Sequence, residues 1–236
     1  MDELIEQIAD ALRTRSTLPE FPESLTVAEA YEIQHRVVAK FEGDSMIGLK
    51  AGLTSAGSQE SIGVPHPILG RLFASGRLFS GTTLPTIPGR FLECEIGICL
   101  DESGNPSSVC PVVELPRIAF RISTDTTGPN LIASNVAADR YILGACVESP
   151  KSFVGRSVKL KRDGKKLYQA NLTEPLGGPW ESLAWMLNES RSLGFSIPNE
   201  ALMLTGACGG IHPASPGSYV ADYGNLGCVA FEITDD

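Results

Sequence analysis

The sequence predicts a mixed α+β chain, and three observations carry that reading. Two amphipathic helical patterns open it, alternating apolar runs bounded by Gly, Pro and an Asp-Gly turn fill most of the rest, and one long helical pattern returns at 179–193. The division that follows is a helical unit over residues 1–45 packed on a strand-rich body over 46–236. With 236 residues, 42% of them apolar, the chain can bury a sizeable core without staples. A net charge of −9 weighs against nucleic acid and anionic membranes as partners. No apolar run approaches the roughly 20 residues that span a bilayer. The cysteines (Cys94, Cys99, Cys110, Cys146, Cys208 and Cys228) include no CxxC pair and mostly sit in apolar runs. They read as reduced core residues of a cytoplasmic protein, with no signal peptide in view.

Taken in order, residues 2–13 place Leu4, Ile5, Ile8, Ala9 and Leu12 at helical spacing. Thr26 caps a second helix running to about Phe41, and Glu29 completes a capping box. Val27, Ala30, Tyr31, Gln34, Val37 and Val38 form its inner stripe, and His35 falls on its polar side. Residues 46–53 read as a strand carrying Lys50, with a loop from Thr54-Ser55. Lys50 either snorkels to water or is a partly desolvated cation beside an anionic site. Residues 63–90 are dense in Gly and Pro and read as irregular loops and short strands, with His66 on a rigid surface loop between two prolines.

Residues 91–100 alternate as a half-buried strand, followed by a turn at 103–106 and a strand over 110–120 that carries the single acid Glu114. Residues 130–143 hold small and polar side chains and end in a short strand through Ile142-Leu143-Gly144. Asp163-Gly164 between alternating runs predicts a hairpin over 158–170 with a solvated basic face. The helix over 179–193 turns Trp180, Leu183, Ala184, Leu187 and Leu193 inward and stops at Gly194. A buried strand over 201–205 opens onto a glycine cluster at 206–210, either a carboxylate cradle or a plain turn. Strands over 218–223 and 228–233 close the chain.

Chemistry concentrates at 91–100. Leu92, Cys94, Ile96, Ile98 and Leu100 share one face, so Glu93 and Glu95 leave the other face together, roughly 6–7 Å apart. Carboxylates held that close repel unless one is protonated or a cation sits between them. Aimed inward, the pair begins a site for a hard cation such as Mg²⁺ or Mn²⁺. The other reading is a solvated strand face that happens to carry two acids.

The order of motifs resembles the fumarylacetoacetate hydrolase superfamily, and within it the group of 2-keto-4-pentenoate hydratases and 2-oxo-hex-3-enedioate decarboxylases. The matching stretches are Gly48-Leu49-Lys50-Ala51-Gly52-Leu53-Thr54-Ser55, Gln59 with Gly63-Val64-Pro65-His66-Pro67, Glu93-Cys94-Glu95-Ile96 and Pro111-Val112-Val113-Glu114. Ala133-Ser134-Asn135, Arg140 to Gly144, Leu204-Thr205-Gly206 and Ala221 to Gly227 complete the set. The resemblance implies a curved, largely antiparallel β-roll with a small helical unit in front. It implies a divalent ion, Mg²⁺ or Mn²⁺, on Glu93, Glu95 and Glu114, with Lys50 as a catalytic residue beside it. Gln59, Ile68 and Thr205 are then substrate-binding positions, Thr205 at the substrate carboxylate. The implied substrate is a small 2-oxo acid of aromatic catabolism and the implied assembly a homo-oligomer. The segment between Glu95 and Glu114 is shorter than the group's usual one, which places a helix there.

Three functions follow as expectations. The first is a metal-dependent lyase, a hydratase or decarboxylase that stabilises an enolate. The second is a C–C hydrolase of acylpyruvates, which needs a base for water such as a His–Glu pair; His212 is the candidate. The third is a non-catalytic metal-binding partner subunit. At Pro67-Ile68-Leu69-Gly70 the hydratases of the group typically carry an aspartate, and here Ile68 can neither take a proton nor hold water. That favours decarboxylation over hydration.

Overall fold

A computed structural model describes residues 1–41 and 43–235. Helix α1 (Asp2–Thr14) sends Ile5, Ile8, Ala9 and Ala11 into the core. The capping box forms as the sequence predicts: the Thr26 hydroxyl accepts from the Glu29 N–H and the Glu29 carboxylate accepts from the Thr26 N–H, starting α2 (Val27–Val38). That helix ends short of Phe41, whose ring instead packs edge-on against Phe73. Strand β1 (Met46–Gly52) follows. The expected loop after Thr54 is a short helix, α3 (Ala56–Ile62), capped by Ser55 and with no buried side chain. A helix that buries nothing leaves no apolar period in the sequence.

The Gly/Pro-rich stretch yields β2 (Ile68–Phe73), β3 (Arg77–Phe79) and β4 (Thr83–Pro85). Strand β5 (Phe91–Leu100) and β6 (Pro106–Leu115) form one long hairpin. The second strand therefore starts before Cys110 and ends before Phe120, because its pairing with β5, and not its own apolar content, sets its ends. The segment of small and polar residues contains another unforeseen helix, α4 (Gly128–Ala133), whose cap is Thr127 with Pro129 in its first turn. Strands β7 (Arg140–Leu143) and β8 (Val147–Glu148) follow.

The hairpin of β9 (Ser157–Arg162) and β10 (Lys165–Asn171) turns at Asp163 and Gly164 with φ of 51° and 76°, the left-handed pair such a turn requires. Helix α5 (Pro179–Ser192) stops at Gly194, φ 65°. Its inner stripe is displaced from the expected one: Ala184 is exposed, whereas Ser182, Met186 and Ser190 are buried. The two serines tolerate burial because their hydroxyls donate to the carbonyls of Pro175 and Leu187. Strands β11 (Leu202–Leu204), β12 (Cys208–Pro213), β13 (Gly217–Asp222) and β14 (Cys228–Thr234) end the chain.

The strands make a curled, mostly antiparallel sheet in the order β2-β1-β11-β5-β6-β7-β3, with β12 on β5 and β8 on β6, and a second sheet β10-β9-β13-β14-β4. Only β1–β11, β3–β7 and β4–β14 pair in parallel among the described residues. Alternation along β5 divides the interior. Leu92, Cys94, Ile96, Ile98 and Leu100 join the main core with the helices and the second sheet. On the opposite face Leu72, Val112, Tyr141, Leu202 and Leu204 form a smaller cluster, and Glu93, Glu95 and Cys99 share that face. No helix among the described residues is long and apolar enough to cross a membrane. The cysteines are all free, but Cys146 and Cys228 are exposed, so not all of them are core residues as expected.

Gln34 ties the front helices to the curled sheet. Its Nε2 donates to Leu69 O at 3.0 Å and Ile132 O at 2.9 Å, and its Oε1 accepts from Arg71 Nη1 at 3.2 Å. Gln34→Ala would strand two buried carbonyls and a guanidinium, each orphaned group costing about 1–3 kcal/mol. The expected result is a urea midpoint lowered by an amount equivalent to about 3 kcal/mol or more, with the m-value unchanged.

Candidate metal centre

The β5–β6 register brings the acids together. Glu93 lies opposite Glu114 across the ladder, and Glu95 is one pleat along on the same face. One carboxylate oxygen of each lies within 4.8 Å of the others, so the expected ligand set converges in space. Glu95 is 0% and Glu114 1% exposed, and Glu93 is half-buried.

Lys50 reaches this group from β1, two strands away through β11. Its Nζ donates to Glu114 Oε1 and, at 2.9 Å, to Val136 O. At 2% exposure it does not snorkel; it is the desolvated cation. Two of its three N–H donors are engaged in these bonds.

The Val136 carbonyl is placed by strained backbone. Asn135, Val136 and Ala137 are all left-handed, with φ of 58°, 54° and 56°, a conformation costly for a β-branched residue. Asn135 compensates by acting as a strand partner for Arg71: its Oδ1 accepts from Arg71 N at 2.8 Å and its Nδ2 donates to Arg71 O at 2.9 Å. Gly70, paired with Lys50, gives the loop room, since a Cβ there would sit 2.9 Å from Asn135 O and 3.1 Å from Lys50 Cγ. The glycine of the Pro67-Ile68-Leu69-Gly70 stretch is thus explained by close approach.

Backbone and hydroxyl groups hold Glu95. Its Oε2 accepts from Gly206 N at 2.8 Å, so the first glycine of the 206–210 cluster does cradle a carboxylate, and it is one of the protein's own. Tyr223 OH accepts from Glu95 N at 3.1 Å and donates to Val112 O, bridging β5 and β6 from behind the acids. Sequence reasoning missed Tyr223 as a supporting residue; its only signal was its place in the 221–227 motif.

The remaining candidates are placed as follows. Ile68 is fully buried on the Lys50 face of β2, opposite Gly52 and beside Val136. Thr205 is buried at the end of β11 and its hydroxyl donates to Ile96 O at 2.9 Å, which commits its proton to the backbone and not to the acid cluster. Gln59, half-buried on α3, donates to Leu53 O at 2.9 Å and stabilises the turn leading out of β1. His212 stacks on Tyr168 at 4.2 Å with its Nε2 3.0 Å from Gly209 O. Among the described residues no histidine forms an ion pair with a carboxylate, so the His–Glu pair a hydrolase would use is not made.

Burial and mutual repulsion set the electrostatics. Burial, then the charge of Glu114, pushes Glu93 up to about 7, against the pull of Lys50. Burial and the charges of Glu114 and Glu93 hold Glu95 well above the usual carboxylate range. For Lys50, burial works against the charged form, but Glu114, Glu93 and Glu95 together outweigh it and keep it an ammonium. Glu95 Oε1 and Glu114 Oε2 are buried with no hydrogen-bond partner among the described residues. Buried acceptors without a partner are costly unless a cation satisfies them. An all-oxygen donor set with two unsatisfied members fits a hard divalent ion.

No family model matches the chain. Among curated proteins it is 26% identical over 226 residues to a 2-keto-4-pentenoate hydratase of Burkholderia vietnamiensis, covering 89% of this chain and 86% of the relative. Among solved structures it superposes on a 4-oxalocrotonate decarboxylase from Pseudomonas putida G7, complexed with magnesium and adipate, with a TM-score of 0.88. That likeness has 24% identity and covers 98% of this chain and 96% of the other. A fumarylpyruvate hydrolase from Pseudomonas aeruginosa, in complex with Mn²⁺ and pyruvate, gives a TM-score of 0.61 at 13% identity over 80% of this chain and 90% of that one.

The raised Glu93 predicts an unusual pH response. In the folded chain Glu93 binds its proton below about 7, and unfolded only below its ordinary 4.5. Between these values the folded state holds the extra proton, so raising the pH removes stability over this window. The expected outcome is a metal-free wild type that loses denaturant stability relative to Glu93→Gln as pH rises from 4.5 toward 7. Mg²⁺ should restore the wild type and leave the variant nearly unmoved.

Proposed function

As a relative of the 2-keto-4-pentenoate hydratases and 4-oxalocrotonate decarboxylases, with a fold of the fumarylacetoacetate hydrolase superfamily, this chain is, we propose, a divalent-metal-dependent lyase of a small 2-oxo acid. The observation that carries the reading is the buried triad Glu93, Glu95 and Glu114 with its orphaned oxygens, set against the ammonium of Lys50. The magnesium and manganese in the structural neighbours support Mg²⁺ or Mn²⁺ as the ion, held by those three acids. Bound there, it would supply Lewis acidity, drawing off the negative charge that builds on the substrate's C2 oxygen.

The chain's own residues divide the remaining work. Lys50, kept charged by its acid neighbours, cannot serve as a resting general base; it offers a cation, and an N–H not engaged among the described residues, to the substrate's negative charge. Glu114 and Val136 O fix its head, so this positive charge is set in place before the substrate arrives. Tyr223 and the Gly206 N–H hold Glu95 and its strand in register. Gln59 shapes the turn after β1, and Thr205 would reach a substrate carboxylate only by releasing Ile96.

Decarboxylation is favoured over hydration because of Ile68. Its fully buried side chain, on the Lys50 face, makes that wall apolar where water would have to be held and deprotonated. Loss of CO₂ needs no activated water: the C–C bond breaks and its electrons pass into the conjugated 2-oxo chain. General base help typically contributes about 10²–10⁴-fold, and no acidic side chain stands at this position to give it.

Turnover of a 2-oxo-hex-3-enedioate with Mg²⁺ should release CO₂, with little hydration of 2-hydroxypenta-2,4-dienoate; efficient hydration and no CO₂ would reject the decarboxylase reading. Ile68→Asp should raise the hydration rate. Glu95→Gln should abolish turnover and weaken Mg²⁺ binding in calorimetry while circular dichroism stays unchanged; full activity at unchanged metal affinity would sink the ligand assignment.

A further inference from the structure

The face of β5 that carries Glu93 and Glu95 continues through Gly97 to Cys99, about 13 Å beyond Glu95 by the strand rise. There a second cluster forms. Gly97 pairs with Cys110 on β6, Cys99 is the diagonal neighbour of Cys110, and the β8 register sets Cys146 across from Cys110 on its other side. The three sulfurs lie within 4.8 Å of one another. Gly97 makes this possible: a Cβ there would meet Cys110 Sγ at 2.8 Å, so its absence lets the buried sulfur lean toward Cys99.

We infer that Cys99, Cys110 and Cys146 form a three-thiolate site for a soft divalent cation of the Zn²⁺ class, with its fourth position open to solvent. Sulfur ligands select soft cations as oxygen ligands select hard ones. Tetrahedral Zn²⁺ with Zn–S of about 2.3 Å places its sulfurs about 3.8 Å apart, so the cluster needs only a small closure. Cys110 is buried, Cys99 half-buried and Cys146 exposed, which gives a dry floor and an entry path. Val112 and Leu204, buried in the same apolar cluster as Cys110, stand between it and the carboxylates.

Binding would release the protons of Cys110 and Cys146 and leave the complex of three thiolates and one divalent ion at −1, a charge that Arg77, close enough to favour the Cys99 thiolate, partly offsets. Hydrogen bonding from the Cys110 thiol pulls the Cys99 thiol down to about 6, which makes one thiolate available before the metal arrives. None of the chemistry proposed for the carboxylate centre uses these residues.

Cd²⁺ serves as the spectroscopic stand-in for Zn²⁺. Titrated into reduced full-length protein saturated with Mg²⁺, it should produce an ultraviolet cadmium–thiolate charge-transfer band that saturates at one equivalent. Cys146→Ser, at an exposed position, should lose most of the band, as should Cys99→Ser, while Glu95→Gln should retain it in full. Absence of the band at stoichiometric Cd²⁺, or its survival in the Cys99→Ser/Cys146→Ser double variant, would overturn the proposal. So would recovery of a disulfide among these cysteines together with no band after its reduction.

Discussion

The structure is organised around an electrostatic debt: three carboxylates and one ammonium share a water-poor pocket in the curled sheet. Fully ionised they leave a net charge of −2, and desolvated charges interact far more strongly than exposed ones. Lys50 satisfies one oxygen of Glu114, and the Gly206 N–H satisfies one oxygen of Glu95. A proton relieves some of the remainder, as the raised Glu93 and Glu95 indicate, and one divalent cation would neutralise all of it. The cluster therefore contributes little to the stability of the bare chain. Its geometry is held by everything around it.

That surrounding structure shows what holding it requires. The β5–β6 hairpin keeps Glu93 opposite Glu114, and Tyr223 pins the same two strands at the next pleat. On the other side a left-handed loop at Asn135–Ala137 is forced over Gly70 so that one carbonyl can meet Lys50. Strain of this kind persists only where neighbouring contacts over-determine it, and the Asn135–Arg71 backbone pairing is such a contact. Arg71 in turn lies 3.8 Å over the Phe195 ring and bonds Gln34. The front helices thus reach the site through a continuous chain of polar contacts.

Much of this was legible in the sequence, and the parts that were not share a cause. Alternation over 91–100 showed that Glu93 and Glu95 leave β5 on one side, and the capping box at Thr26 and the Asp163-Gly164 hairpin are local signals that the fold keeps. Helix α3 buries nothing and α4 is too short to show a period, so neither left a pattern. Glu114 stood alone in an apolar run; only strand pairing makes it the partner of Glu93, and a register across strands is invisible to local periodicity. Lys50 could be read as exposed or buried until β11 placed it beside the acids. Thr205 shows the reverse case: its position follows from its motif, but the direction of its hydroxyl depends on a carbonyl more than a hundred residues away in sequence.

The same ladder that joins the acids also separates two kinds of ligand. Down one face of β5 the residues run Glu93, Glu95, Gly97, Cys99, and down the facing strand Glu114, Val112, Cys110, Ser108. Hard oxygen donors collect at one end and soft sulfur donors at the other, with Gly97, Val112 and Leu204 as an apolar step between. A one-residue slip of the hairpin would turn one strand's half of both clusters to the opposite face, scattering acids and thiols alike. Ions that prefer oxygen would gain nothing at the thiol end, and thiophilic ions would be drawn away from the acids. Gly97 is central to this separation. The space that its missing side chain leaves lets Cys110 lean toward Cys99, and any larger residue there would close the thiol end without touching the carboxylates.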